Sequence, residues 1–531
     1  MIQNETVAAL SIQELPSVVV QLFERARQPL LPGTQGQHGL FVRYLRRKPG
    51  RGLAVVYNAS PLNSSRGTRS RTPERWVSLT LGEAALEGTQ IRFAARQAQE
   101  AALEAQPPGV LRIPDLDLVV QAFPADDGLP GLAASCTPAR DGPLFSGLEA
   151  AARVQLCDPA WHLVSAKAEP VRYKPSSRCV IRYTLLLART TTEGTLQRRL
   201  ALFGKVYGDR EQARAIQAAM QQLYTEQAEA GQPILPRPLG AVERLSLTLN
   251  EAVESPEGTE PEPLRTGLRA LQARVVRGGA GEILDVVIPG TELRLAAHAL
   301  ARLHTSAARP AGALRTGAKE AKRARERAAL IAAHDPAQAA AAQRLAEQLA
   351  TRLEALEPDA YRPAHGGFKA SQLLFDGQRA FVVDFDGFCR ADPALDVGYF
   401  LAYLRPSGLW YRRPGMRPWF ESSAACFVSA YRQALRERGI DEVTTDGILE
   451  RTYLYEGAFL LKIATRRVNR MNSPRTGELS TMLAEIATCL SGEARRLEAI
   501  ISSPPQPSRV GSACARFHLP ISRAVDRGSM P

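Results

Sequence analysis

The chain has 531 residues, of which 45% are hydrophobic, and a formal net charge of +13. That length suggests about three or four domain-sized units with enough apolar material for buried cores. No apolar run reaches the length of a membrane span, and the start lacks a basic stretch leading into an apolar segment and cleavage site, so a cytoplasmic location is expected. The seven cysteines are odd in number and form no CxxC pair, which argues against a disulfide framework or a zinc ribbon.

The positive charge is uneven. Between Phe41 and Arg75 stand nine Arg or Lys and one Glu, a local excess of 8 (9 − 1). Within it, Asn58 to Thr72 is rich in Ser, Gly and Arg and reads as a loop between strands. Few aromatics interleave with these cations, so a stacking surface for single-stranded nucleic acid is not expected. The Arg-rich segment 43–75 is a candidate contact for a protein partner, with nucleic-acid binding a competing reading.

Strand-forming segments recur at one spacing. Val42-Arg43-Tyr44 before KPGR returns as Val171-Arg172-Tyr173 before KPSSR, an offset of 129 (173 − 44). Leu116 to Gln121 returns as Leu245 to Asn250 at the same offset (245 − 116). Equal spacing suggests one small β-rich unit occurring twice, over 1–155 and again over 156–254.

In the second unit, Cys179 to Leu187 and Leu200 to Tyr207 read as strands, and Lys205 lies inside the latter. Arg210 to Gln227 reads as a helix whose interior is Gln and Ala, with Glu211 and Glu226 near its ends. Leu245 to Val253 is a further strand. The matching strand of the first unit, around Arg75 to Leu79, has no central Lys.

From 255 to 502 the pattern is helical. Leu295 to Leu303 leads into His304, and His298 lies six residues before it on a different helix face, so a metal pair is not expected. Lys319 to Leu356 reads as two helices joined at Pro336. Val397 to Tyr403, Ala424 to Glu437 and Thr452 to Arg467 are further helices, with aromatic positions that suit a core. Residues 503–531 are rich in Pro, Ser and Arg and read as disordered.

The most informative stretch is His365 to Asp386. Leu373 to Phe375 forms an apolar run, Asp376-Gly377 supplies turn chemistry, and Phe381 to Val383 forms a return strand ending at Asp384. Other nucleotide motifs are missing: there is no GxxxxGK[ST] loop, Gly278-Gly279-Ala280-Gly281 lacks a third glycine and a flanking strand, and no GxSxG elbow occurs.

This stretch resembles the aminoglycoside phosphotransferase and choline kinase family, whose signature is HGDxxxxN, a strand pair, DFD or DxD, and a downstream DPAxD. The chain reads His365-Gly366-Gly367, then Gln372, then Asp384-Phe385-Asp386, then Asp392-Pro393-Ala394-Leu395-Asp396, and the LARLH ending at His304 is also similar to the family. The resemblance implies an α+β, bilobal protein-kinase-like fold, with a β-rich small lobe, a helical large lobe, and a second, degenerate small-lobe-like unit ahead of them. It implies ATP and magnesium as cofactors and a small-molecule hydroxyl as phosphoryl acceptor. Lys205 would bind phosphates, the backbone at Glu251 and Val253 would meet the adenine, and Asp384 and Gln372 would hold the metal. Late helices line the acceptor cleft in this family, which makes Glu456 and its neighbours candidates.

Two positions depart from the signature. Gly367 replaces the Asp that receives the acceptor proton, and Gln372 replaces the metal-binding Asn. Lys369 is placed to neutralise the transferring group, and Asp386 is the nearest substitute carboxylate. The leading expectation is thus a phosphotransferase. The alternative is a nucleotide-binding pseudokinase with a regulatory or scaffolding role.

Overall fold

In the computed structural model the described residues are 16–17, 19–28, 30, 38–48, 52–61, 75–82, 108–113, 117–253, 265–277, 283–310, 312–405, 413–469 and 475–491. The architecture is α+β and bilobal, with antiparallel sheets preceding a helical body. Most of the Ser/Gly/Arg loop 58–72, and the segment 503–531 expected to be disordered, lie outside the described residues.

The first sheet holds β1 (His38–Lys48), β2 (Gly52–Pro61), β3 (Trp76–Leu81), β4 (Val110–Ile113) and β5 (Leu118–Ala122), in the order β1-β2-β3-β5-β4. After helix α1 (Pro143–Leu156), the second sheet holds β6 (His162–Lys174), β7 (Arg178–Thr191), β8 (Gly194–Tyr207), β9 (Pro238–Val242) and β10 (Leu247–Glu251), in the order β6-β7-β8-β10-β9. Each sheet therefore places its fifth strand between its third and fourth. The recurring segments fall on corresponding strands: Tyr44 and Tyr173 on β1 and β6, Leu118 to Gln121 and Leu247 to Asn250 on β5 and β10.

The strands form because their apolar residues alternate. On β7, Cys179, Ile181, Tyr183, Leu185 and Leu187 are all buried while the residues between them are partly exposed, the two-residue period of a half-buried strand. The β7–β8 hairpin runs further than expected, to Thr191 and Gly194, and its outer half on β8 is exposed. One apolar cluster joins the sheets: Val56, Trp76 and Phe123 share it with Tyr173, Cys179 and Ile181. The Tyr173 ring meets Phe123 edge-on at 5.1 Å.

Helix α2 (Arg210–Glu229) follows β8 and is capped by Asp209, whose side chain accepts the Glu211 amide. The helical body holds α3 (Gly290–His304), α4 (Gly317–His334), α5 (Ala339–Glu354), α6 (Ala394–Leu404), α7 (Met416–Glu437), α8 (Glu442–Val468) and α9 (Leu479–Leu490). The break between α4 and α5 falls at Asp335-Pro336, as the sequence predicts. Helices α7 and α8 begin eight and ten residues earlier than expected (424 − 416 and 452 − 442). Pro418 sits in the first turn of α7, where its missing amide costs nothing. The weak formers of Glu442 to Leu449 are held helical by the Asp441 cap on the Thr444 amide and by burial of Thr445 and Ile448. Among the described residues no helix is long and apolar enough to cross a membrane.

Candidate active site

The small-lobe contribution comes from the middle of the second sheet. Lys205 pairs with Val180 of β7 on one side and Thr248 of β10 on the other, so it lies on a central strand and not at a sheet edge. Arg178 opens β7 and Tyr207 closes β8, next to each other across the same hairpin.

The large-lobe contribution is the loop 365–372. Gly366 has φ +71°, and a Cβ there would stand 2.2 Å from the Gly387 carbonyl, so only glycine fits. Arg315 donates to the Gly366 carbonyl at 2.6 Å. The fully buried Asp396, last residue of the DPAxD run, accepts the His365 amide at 2.6 Å and receives His304 Nε2 at 3.4 Å. It braces the loop from behind. His304 is thus structural, as expected, and its other ring nitrogen meets the Tyr431 hydroxyl at 2.6 Å.

Beyond the loop, strands Leu373–Phe375 and Ala380–Val382 pair across a turn in which the Asp376 carboxylate accepts the Gln378 and Arg379 amides. The Val383 amide then donates to the Gln372 carbonyl at 2.9 Å, which sets Asp384 beside the Gln372 side chain. Asp384 adopts φ +72°, ψ +56°, a left-handed conformation that Asp tolerates better than most residues.

The two contributions converge. Lys205 Nζ lies 2.5 Å from Asp384 Oδ1 and also binds Asp386, although 179 residues separate Lys205 from Asp384. Arg178 binds Asp386 and reaches Asp384 at 3.5 Å, Tyr207 donates to Asp386 at 3.1 Å, and Gln372 Nε2 donates to Asp384 at 3.1 Å. Burial alone would raise the Asp384 pKa, but the Lys205 ammonium and the Arg178 guanidinium hold it well below the usual carboxylate range. Neither Glu211 nor Glu226 orients Lys205: Glu211 pairs with Arg214, and Glu226 accepts the Ala307 amide. Gln217, in the middle of α2, is buried with its carbonyl oxygen unpartnered among the described residues.

Glu251 closes β10, and its amide donates to the Arg237 carbonyl at 2.9 Å. Its carboxyl is pushed up, mainly by burial. Val253 is the last described residue before 254–264. Glu456 is buried in an ion pair with Arg405 at 2.7 Å. Cys389 is a buried strand residue whose thiol burial pushes up to about 12, consistent with a core role.

At the departed position there is room. A Cβ on Gly367 would meet only His365 Nδ1 at 3.9 Å and the Tyr399 ring at 4.0 Å. Burial lowers the His365 pKa, and its Nε2 faces the Val383 carbonyl at 3.2 Å, so Nδ1 is the ring's acceptor. That Nδ1 is buried and without a partner among the described residues. Lys369 lies over the rings of Tyr399 and Tyr403, and burial pushes its amine down to about 8. Sequence reasoning missed Arg178, which comes near Lys205 only through the hairpin register, and Tyr207, two residues beyond Lys205 on the same strand.

Residues 188–431 match the phosphotransferase enzyme family. The phosphotransferase match thus begins near the end of β7 and takes in Lys205, the loop 365–372, Asp384 and Asp396. Among solved structures, the chain is similar to choline kinase LicA from Streptococcus pneumoniae, with 14% identity over 62% of this chain and 94% of that one and a TM-score of 0.36. A glucosamine kinase shows 18% identity over 87% of this chain and 96% of that one, TM-score 0.38. A thermostable mutant of the aminoglycoside phosphotransferase APH(4)-Ia shows 14% identity over 65% and 99%, TM-score 0.33. No curated protein matches the chain.

The residues fit a hard divalent cation. The Asp384 carboxylate and the amide of Gln372, whose Oε1 is buried and unpartnered among the described residues, make an all-oxygen donor set of the kind magnesium takes together with nucleotide phosphates. Among the described residues no group of three or more His, Cys, Asp or Glu stands ready to hold a metal by itself.

Proposed function

We propose that the protein is an ATP- and magnesium-dependent phosphotransferase that moves the γ-phosphoryl group to a hydroxyl of a small molecule. The observation that carries this reading is the 2.5 Å approach of Lys205 to Asp384, a cation of the β-rich lobe and a carboxylate of the helical lobe meeting across the chain. Without nucleotide these groups neutralise each other. Phosphate oxygens would draw off Lys205 and Arg178, leaving Asp384 and Gln372 to hold the metal, with Lys369 placed to offset charge on the group in transfer. Bound there, the metal would neutralise phosphate charge. The backbone at Glu251 and Val253 would meet the adenine ring. Asp386, released from Lys205 and Arg178 in the same exchange, is the carboxylate we assign to receive the acceptor proton.

The test is ATP consumption across a library of hydroxylated metabolites, with acceptor-dependent turnover abolished by Asp384→Ala. A library with no active acceptor, or turnover that survives the substitution, defeats the reading.

A second reading, a nucleotide-binding pseudokinase, is favoured by Gly367, which offers no carboxylate where the family signature has one. Its mark would be nucleotide-dependent thermal stabilisation with no turnover on any acceptor. The repeated strand order of the two sheets supports reading the first sheet as a degenerate small-lobe-like unit without a nucleotide role. A protein partner at 43–75 would be read from co-purification that fails when the segment's arginines are neutralised.

A further inference from the structure

Near Gly367 lies a cluster of basic side chains, Lys369, Lys462 and Arg466, that forms no ion pair among the described residues. Tyr399 and Tyr403, one turn apart on α6, stack at 4.8 Å with their planes 7° apart. Lys369 Nζ lies 5.7 and 5.5 Å from the two ring centroids. Lys462 Nζ donates to the Tyr399 hydroxyl at 3.1 Å, and Arg466, one turn further along α8, donates to the Tyr403 hydroxyl at 2.6 Å. Among the described ion pairs none includes Lys369, Lys462 or Arg466. The carboxylate nearest in effect to Lys462, Glu320, is itself bound by Arg315 and Arg323 and approached by Arg327.

Charging all three groups around two rings is expensive without an ion-paired carboxylate, because burial removes the water that would otherwise solvate them, and only Asp384 near Lys369 and Glu320 near Lys462 offset it from a distance. Ring faces return only part of that cost. Burial, reinforced by Arg466, Arg327 and Arg315 and only partly offset by Glu320, pushes the Lys462 amine down to about 6. A merely structural lysine at this place would be replaced by Met or Leu at a gain in stability. Lys462 and Lys369 are half-buried and Arg466 is exposed, so the cluster reaches the surface at Arg466.

Resting on the phosphotransferase reading, we infer that the acceptor is a small hydroxylated anion, with its carboxylate or phosphate held by Lys462 and Arg466. The same cations could instead serve a terminal phosphate of the nucleotide. Anion binding is common to both cases, and the experiment separates them.

The experiment is calorimetric titration of the full chain with glycerol 3-phosphate and with glycerate, against glycerol and choline as neutral and cationic controls, with and without a non-hydrolysable ATP analogue. The expected result is binding of the two anions only, unaffected by the analogue and weakened on the order of 10- to 100-fold in Arg466→Gln, an exposed position whose change spares the fold. Lys462→Met should weaken it likewise. Equal binding in the variants, binding of the controls, or no binding of either anion overturns the inference. Displacement of the anions by the analogue also overturns it, because the cations then belong to the nucleotide. The two readings fail separately: anion binding without turnover on any acceptor removes the phosphotransferase reading alone, whereas turnover of a neutral acceptor that Arg466→Gln leaves unchanged removes the anionic acceptor alone.

Discussion

The Asp126 carboxylate accepts the Ser176 amide at 2.8 Å, joining the segment after the first sheet to the turn between β6 and β7. The Tyr173 hydroxyl and the Gly128 amide donate to the same carboxylate, at 2.6 and 2.8 Å. The turn it holds joins strands that carry Arg172 and Arg178, on the edge of the small lobe nearest the candidate site.

Asp126→Ala should therefore deprive the buried Tyr173 hydroxyl and the Ser176 amide of this acceptor. A loss of about 1–3 kcal/mol in unfolding free energy is expected. Hydrogen exchange at the Ser176 amide should accelerate together with it. Unchanged exchange at Ser176 would mean the carboxylate does not hold the turn.

Gly367→Asp restores a carboxylate at the departed position, and its Cβ meets nothing closer than 3.9 Å. Stability should change little. Turnover on a true acceptor should change little, because Asp386 already receives the proton; a rise of about 10²- to 10⁴-fold, the usual worth of general-base help, would show that no base acts in the native chain and would overturn the Asp386 assignment.

Lys462→Met should raise the melting temperature at neutral pH, because an amine held near pKa 6 in the folded state binds fewer protons than the unfolded chain, where lysine titrates near about 10.4. The sign follows from that difference: native stability of the unsubstituted protein increases as pH rises between those two values. The gain from the substitution should thus be largest at pH 6 or below and should shrink towards pH 10. Thermal denaturation of both proteins across that range measures it, and a pH-independent gain would contradict a buried neutral lysine.

Asp396→Asn removes a charge that accepts the His365 amide and pairs with His304. The loop 365–372 should loosen and turnover should fall, with a stability loss of about 1–3 kcal/mol seen in denaturant titration. Burial opposes ionisation of Asp396, but His304, His365 and Arg315 keep its pKa below the usual value. Its contribution is accordingly present above the ordinary Asp range and lost as pH falls through the lowered value. The asparagine variant should show a flatter acid limb.

Much of this arrangement was legible in the residues. Apolar strand-forming segments marked β7 and the inner half of β8, Asp376-Gly377 marked the hairpin, and Pro336 marked the α4–α5 break, because each is a local signal. The starts of α7 and α8 were not, since weak formers become helical there through burial against the rest of the fold, aided on α8 by the local Asp441 cap. Lys205 and Asp384 could be singled out by type and order, but their contact depends on packing between segments far apart in sequence. Arg178, Tyr207 and Lys462 escaped because nothing in their neighbours distinguishes them from ordinary strand and helix positions. Their surroundings exist only after folding.

The central claim is that Lys205 and Asp384 exchange their mutual contact for a metal-bound nucleotide. Calorimetric titration with the non-hydrolysable ATP analogue, with and without magnesium, on the native chain and on Asp384→Ala tests it most directly. The account predicts magnesium-dependent binding in the native chain and loss of the magnesium dependence in the variant. Binding that ignores both magnesium and the substitution, or no binding at all, would contradict it.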